Sequence, residues 1–384
     1  MKRPIWWLLA AIAGFVTIAI GVRTCSPSPS WLGEGSESTE EITPGLTLRD
    51  VTLEQQDESG QLLWKVDADE VTYSGNQEKA NLVNPEGELY QDGELLYRVK
   101  ADKGIIEENG QVIFLEDNIV ATGIQNRMVI NGQNLEWRPE ESLMIVRNGL
   151  TGRHPQVNAQ ANEARVYDAE NRMELLGDVV ATTVVDDPEV DPWLKLQGET
   201  LQWRWQQQTL DTLQPIRIER FENQQITQAL VGQKALVELA EERATIEGDV
   251  QAQLLDSKTE MTTPKAIWEV DEQLIQAQQS VRVLDAEQEI TVTAQQGQFD
   301  LAEQLALFSR DVLAIAAKND GRLTTNRLRW NLKDDTVLAE GNVNYQQADP
   351  RLTITGPRAR GRIESQTVIV DGGNVVTEIV PNVN

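Results

Sequence analysis

From about residue 46 onward, apolar and polar residues alternate along the chain. In the stretch LRWNL, Leu328, Trp330 and Leu332 are apolar, while Arg329 and Asn331 between them are polar. A two-residue period is that of a strand with one face buried. Polar turns such as KDD, EENG and DAEN separate these short stretches, and helical periodicity is nearly absent. The pattern predicts an all-β body.

The same arrangement returns at regular intervals. The start of the strand that carries Trp330 has counterparts at Gly104, Leu135, Ala164, Leu201, Ala235, Ala266, Gly297, Leu328 and Ala359, at steps of 31, 29, 37, 34, 31, 31, 31 and 31 residues. A second landmark, a β-branched residue or Leu after the next turn, falls at Ile119, Leu150, Val179, Ile216, Val250, Val281, Val312, Val343 and Val375. It keeps nearly the same step. Two landmarks in phase point to one supersecondary unit used repeatedly, in about ten copies of ~31 residues counting an earlier one near Val71. Trp137, Trp203, Trp268 and Trp330 mark every second copy, at steps of 66, 65 and 62 residues. Val166, Val237, Phe299 and Gly361 hold the place between them, so larger and smaller side chains alternate along one face.

Within a copy, Ala266–Val270, Leu274–Gln278, Val281–Leu284 and Ile290–Ala294 are expected strands. Apolar parity slips between Ala294 and Phe299, around QQGQ, where a bulge or corner would pass the chain to a partner sheet. The expected architecture is an elongated, twisted two-sheet antiparallel jelly roll. A parallel β-helix is the rival, but its short coils and Asn ladders are missing. A transmembrane barrel would need longer strands.

The first 25 residues read differently. Lys2 and Arg3 precede an uncharged run from Pro4 to Val22. That run is just long enough to cross a hydrocarbon layer of ~30 Å as a helix. The paired charges favour a cytoplasmic N-terminus, with the remainder across the membrane. A cleaved signal peptide ending near Ala19-Ile20-Gly21 is the competing reading. Lipidation at Cys25 is disfavoured by Arg23 and Thr24 before it. Residues 26–45, rich in Ser, Pro, Gly and Glu, read as a flexible linker, and residues 46–384 as the repetitive body.

Composition removes several function classes. The formal charge is −27, which argues against nucleic acid as a partner. One cysteine excludes an intramolecular disulfide, and one histidine, His154 in the turn-like GRHPQ, leaves little for triad or His-rich metal chemistry. Asp and Glu fall mostly in turns, which suits solvated loops better than the paired carboxylates of a glycosidase. No enzyme and no cofactor is expected. Against the acidic total, Lys318 to Arg362 holds nine basic and five acidic residues, a net of +4. Arg358, Arg360 and Arg362 share one strand face there, either as a solvated surface or as a contact for phosphate or an acidic partner. Trp137, Trp203, Trp268, Phe299 and Trp330 either fill a core or line an apolar groove.

The stretches LEQQDESGQLLWKVDADEVTY, VKADKGIIEENGQVIFLEDNIVAT and LLGDVVATT, behind a single N-terminal apolar segment, resemble the LptC and LptA (OstA-like) family of lipopolysaccharide transport proteins. The resemblance covers nearly everything from residue 46 and rests on repetition and order, not on an invariant residue. It implies a V-shaped β-jelly roll whose interior shelters acyl chains of lipopolysaccharide. It also implies an anchor in the inner membrane and a body in the periplasm. An inner-membrane ABC transporter of the Lpt type would load it, and LptA-like or LptD-like jelly rolls would receive the lipid by edge-strand pairing. The body is about twice as long as expected for that family, which suggests a docking module joined to part of the bridge. A non-catalytic scaffold or adhesion stalk, with a dry, packed interior, is the alternative.

Overall fold

The alternation is realised as strands longer than the sequence units suggest, because many of them run straight through a corner. The computed structural model describes residues 44–379, apart from 77, 108–109, 255–258, 349–350, 364–366 and 374. The expected membrane anchor and almost all of the linker lie outside the described residues. Among the described residues no helix is long and apolar enough to cross a membrane.

Among the described residues, twenty-eight strands, from β1 (Pro44–Gln56) to β28 (Val376–Ile379), form one hydrogen-bonded sheet in which every pairing is antiparallel. The corners explain how one sheet makes two layers. In β7 (Val112–Gly123), β11 (Arg172–Thr183), β17 (Arg243–Leu254), β23 (Leu305–Ala316) and β25 (Thr336–Gln347), two successive residues adopt positive φ and the pairing register shifts. The pairs are Asp117–Asn118, Gly177–Asp178, Gly248–Asp249, Arg310–Asp311 and Gly341–Asn342. Gly, Asn and Asp tolerate this backbone best, and an inserted residue bends the strand. Burial parity records the bend. In β18 (Thr259–Glu269) the buried positions are 259, 261 and 263 before the corner, then 266 and 268 after it.

Elsewhere the strand breaks at the corner. β21 (Ile290–Ala294) and β22 (Gln296–Asp300) are separated by Gln295, whose N–H donates to the Arg310 carbonyl at 2.9 Å. This is the parity slip seen around QQGQ. Residues 281–311 thus supply a hairpin to one half, β20 (Val281–Asp285) with β21, and then a hairpin to the other, β22 with the first part of β23. The expected pair of sheets is therefore two halves of a single sheet, joined because the long strands keep their hydrogen bonds on both sides of each bend.

The halves close on one apolar core. Contacts across it include the Trp64 indole N–H, which donates to the Gly110 carbonyl at 2.9 Å, and His154, whose ring meets Trp203 edge-on at 4.6 Å. The all-β architecture is consistent with a β-jelly roll.

Candidate functional site

The four tryptophans of the double period lie on a single cross-strand row. Reading register partners in turn gives Trp203, Leu210, Val237, Ala244, Trp268, Ile275, Phe299, Ala306, Trp330, Val337, Gly361 and Val368. Towards the N-terminus the row continues through Met173, Val166 and Met144 to Trp137. Inward positions at matching height on every strand produce this apolar rail, and large rings recur with a small or slender neighbour beside them.

Along most of its length the rail is packed. Trp268 and Trp330 are 0% exposed, Trp137 1%, Phe299 2% and Trp203 4%. Phe299 meets Phe308 edge-to-face at 5.7 Å. These residues fill the core, and only some of them also adjoin a void. The indole nitrogens of Trp137, Trp203, Trp268 and Trp330 are buried and find no acceptor in the protein, whereas the Trp64 indole is paired. A buried donor without an acceptor costs about 1–3 kcal/mol, so the rail tolerates a repeated polar mismatch. Beside Trp203 a pocket of about 10 Å³ remains, lined also by Met128, His154 and Leu210. Burial, with Arg127 nearby, lowers the His154 pKa and favours its neutral form.

At the C-terminal end the halves do not close. A half-open cleft of about 190 Å³ lies between them. Leu328, Trp330, Val337, Ala339, Ala359 and Gly361 form its wall on the tryptophan half. Ile290, Val292, Ala314, Ala316, Leu323 and Tyr345 face them from the other half. Gly361 stands where earlier copies place Val166, Val237 and Phe299. Its missing side chain and the neighbouring alanines leave the volume unfilled. Lys318, Arg360 and Arg362 also border the cleft.

Arg358, Arg360 and Arg362 all lie on β26 (Leu352–Arg362), alternating with the buried Ala359 and the half-buried Gly361. The Arg358 Nε donates to Asp371 at 2.7 Å, and Arg360 Nη2 donates to the other oxygen of the same carboxylate at 2.8 Å. Hydrogen bonds from Arg358 and then Arg360 hold the Asp371 carboxyl below its ordinary range. Two guanidiniums share the Asp371 carboxylate, and Glu340 also acts on Arg358.

The sequence reasoning picked out Trp330 and the arginines but not the cleft between them. Its one signal was the run of small residues, Ala314, Ala316, Ala339, Ala359 and Gly361. Among the described residues no cluster of His, Cys, Asp and Glu could hold a metal ion.

Comparison with known proteins finds no match among curated sequences. Residues 8–145 match the LptC family, described as lipopolysaccharide-assembly, LptC-related. Within the described structure the match runs from β1 into β9 (Leu143–Arg153), and the same sheet continues beyond it. The chain is therefore similar in its N-terminal part to a family of lipopolysaccharide transport proteins.

Proposed function

We propose that this protein is an inner-membrane-anchored, periplasmic component of lipopolysaccharide export. It receives lipid from an ABC transporter of the Lpt type, shelters acyl chains between its two half-sheets and passes them towards the outer membrane. The observation that carries this reading is the uninterrupted apolar rail from Trp137 to Gly361, which ends in an open cleft. An acyl chain exposed to water costs about 0.8 kcal/mol per methylene, so a protein that moves one through the periplasm must cover it along the whole path. The rail offers apolar surface in equivalent steps; it is open at the C-terminal cleft and closed by packing from Trp137 to Phe299, where the halves must part to admit a chain.

The ends suit addition of further jelly rolls. Among the described residues β1 pairs only with β2 (Leu62–Ser74), and it exposes Leu46 and Leu48. At the other end β28 exposes Val376. Unpaired edges of this kind accept another strand. LptA-like or LptD-like jelly rolls are the partners implied by the family likeness.

The packed stretch around Trp268 favours a second reading, in which the repeats are a stalk that only provides reach. Photo-crosslinking separates the two. A photoreactive residue at Trp203, Trp268 or Trp330, in cells making labelled lipopolysaccharide, is expected to give lipid adducts. A folded, expressed protein that yields none from any of the three positions establishes the stalk instead.

A further inference from the structure

The geometry points to a saccharide-binding cleft in the middle of the body, walled by Gln156, Trp193 and a ring of carboxylates, that takes a neutral or amino sugar and rejects an acidic one. This site stands apart from the lipid-carrying reading and needs neither the rail nor the C-terminal cleft.

The repeat marks the place. Its longest step, 37 residues in place of 31, runs from Ala164 to Leu201. That step contains the loop VVDDPEVDP, residues 184–192, between β11 and β12 (Trp193–Arg204). The loop is braced from within. The Asp187 carbonyl accepts from the Val190 and Asp191 N–H groups at 3.0 and 2.7 Å, and the Val184 N–H donates to the Gln156 carbonyl at 2.9 Å. Beside the loop lies a half-open cleft of about 530 Å³. Small-ligand sites span roughly 300–1,000 Å³.

Three features of the wall specify the ligand. The first is a pair of unmatched polar atoms. Gln156 and Trp193 both line the cleft, and Gln156 Oε1 and Trp193 Nε1 are buried without a partner in the protein. One accepts and the other donates, and a hydroxyl group answers either need. The unpaired indoles of Trp137 and Trp268 are sealed in the core, whereas these two residues adjoin space that a ligand can enter. The second is a rigid apolar floor. Trp193 stacks on Phe221 of β14 (Ile216–Glu222), with ring centroids 4.2 Å apart and planes at 5°. Leu194, Val237, Leu239 and Val270 extend the floor, which suits the C–H face of a sugar ring. The third is charge. Asp186, Asp191, Glu238, Glu242 and Asp271 line the cleft, and among the described residues lining it none is Lys or Arg. Arg243 comes within 3.9 Å of Glu238 but is held at 3.0 Å by Glu269. Among the described residues no cluster of these groups could hold a metal ion, so the carboxylates surround something larger. They accept hydrogen bonds from sugar hydroxyl and ammonium groups and repel anions. The phosphorylated head of an acidic lipid is therefore a poor fit.

The test is saturation-transfer NMR on the full-length chain in amphipol. The probes are the trisaccharide of glucosamine, its N-acetylated form, deacylated lipopolysaccharide and spermidine. Both trisaccharides are expected to bind, the amino form more tightly. Deacylated lipopolysaccharide, which carries phosphate, and spermidine, which lacks hydroxyls, should bind at least tenfold more weakly. Gln156→Leu keeps the main-chain bonds of that residue and should weaken both trisaccharides by roughly tenfold, the loss of one buried hydrogen bond. Asp186→Asn combined with Asp271→Asn alters two exposed positions and should weaken the amino form more than the N-acetylated one. This second variant serves if Gln156→Leu fails to fold, as judged by circular dichroism.

The proposal is overturned if neither trisaccharide binds, or if the folded variants bind both like the unaltered chain. Spermidine binding as tightly as the amino sugar would reduce the site to attraction of cations by an acidic surface. Deacylated lipopolysaccharide binding as tightly would assign the cleft to the head of the transported lipid, and either result overturns the proposal. None of these outcomes bears on lipid adducts at Trp203, Trp268 or Trp330, so the transport reading stands or falls separately.

Discussion

At the scale of single residues, the interior contains one carboxylate in an unfavourable place. Asp168 follows β10 (Val157–Tyr167) and packs near Tyr97, a residue of β5 (Glu94–Lys100) in the opposite half. Tyr97 is 0% exposed and accepts a hydrogen bond from Asn126 Nδ2 at 2.9 Å, while one Asp168 oxygen is buried without a partner. Burial, partly offset by Tyr97, raises the Asp168 pKa from 3.8 to about 6. A group with a raised folded-state pKa adds stability below its unfolded value and loses it as pH climbs through the folded value. Stability from this site is therefore full below about pH 4 and gone above about pH 6, a difference on the order of 2–3 kcal/mol. Asp168→Asn should abolish that pH dependence and raise stability at pH 7, as read by urea unfolding at a series of pH values. An unchanged profile between pH 4 and 6 refutes it. What was legible at this scale was the inward set. The steps between Trp137, Trp203, Trp268 and Trp330 place them on one face, and the register puts them in one row. The cleft was not legible, because Gly361 and the alanines act by what they lack, and a periodicity records only side chains that are present. The Arg358 and Arg360 pairing was hidden as well, since Asp371 comes from another strand, β27 (Thr367–Asp371).

At the scale of elements, the left-handed corner is the device that makes a layered structure from a meander. The alternation predicted strands, and the slip near QQGQ predicted a bend at one place. It did not show that strands such as β17 and β23 continue through their corners, because Gly248–Asp249 and Arg310–Asp311 look like ordinary turn residues. Two glycines separate the backbone requirement from the steric one. Gly149 has φ +70° and open space where a methyl group would stand, whereas a Cβ on Gly248, at φ +81°, would meet the Gln233 Cβ at 2.7 Å. Gly149→Ala should cost only the left-handed conformation, about 1–2 kcal/mol. Gly248→Ala should cost about 1–3 kcal/mol more, since the corner and the chain at Gln233 must both move. Urea unfolding of the two variants checks the order. Equal losses would mean that the corner is held by dihedral preference alone.

At the scale of the whole molecule, a repeating sheet whose strands contact only their neighbours should tolerate loss of copies if the rail stays in phase. The phase is two copies long. In the row, Ala244 precedes Trp268 as Ala306 precedes Trp330. Deleting Val250–Asp311, which is 62 residues, joins one corner to its equivalent and brings Ala244 against Trp330 in place of Ala306. The large rings then still alternate with smaller neighbours. Deleting Val281–Asp311, which is 31 residues, removes Phe299 and Ala306 and sets Ile275 against Trp330. Overfilling a packed core in this way costs about 1–3 kcal/mol. The longer deletion should therefore melt cooperatively and above the shorter one, by about 2–4 °C per kcal/mol for a body of this size, with circular dichroism as the measurement. The comparison is demanding because the larger excision is expected to be the milder one. The opposite order would show that stability follows the number of strands and not the alternation of ring sizes, and the rail would lose its standing as the organising feature of the fold.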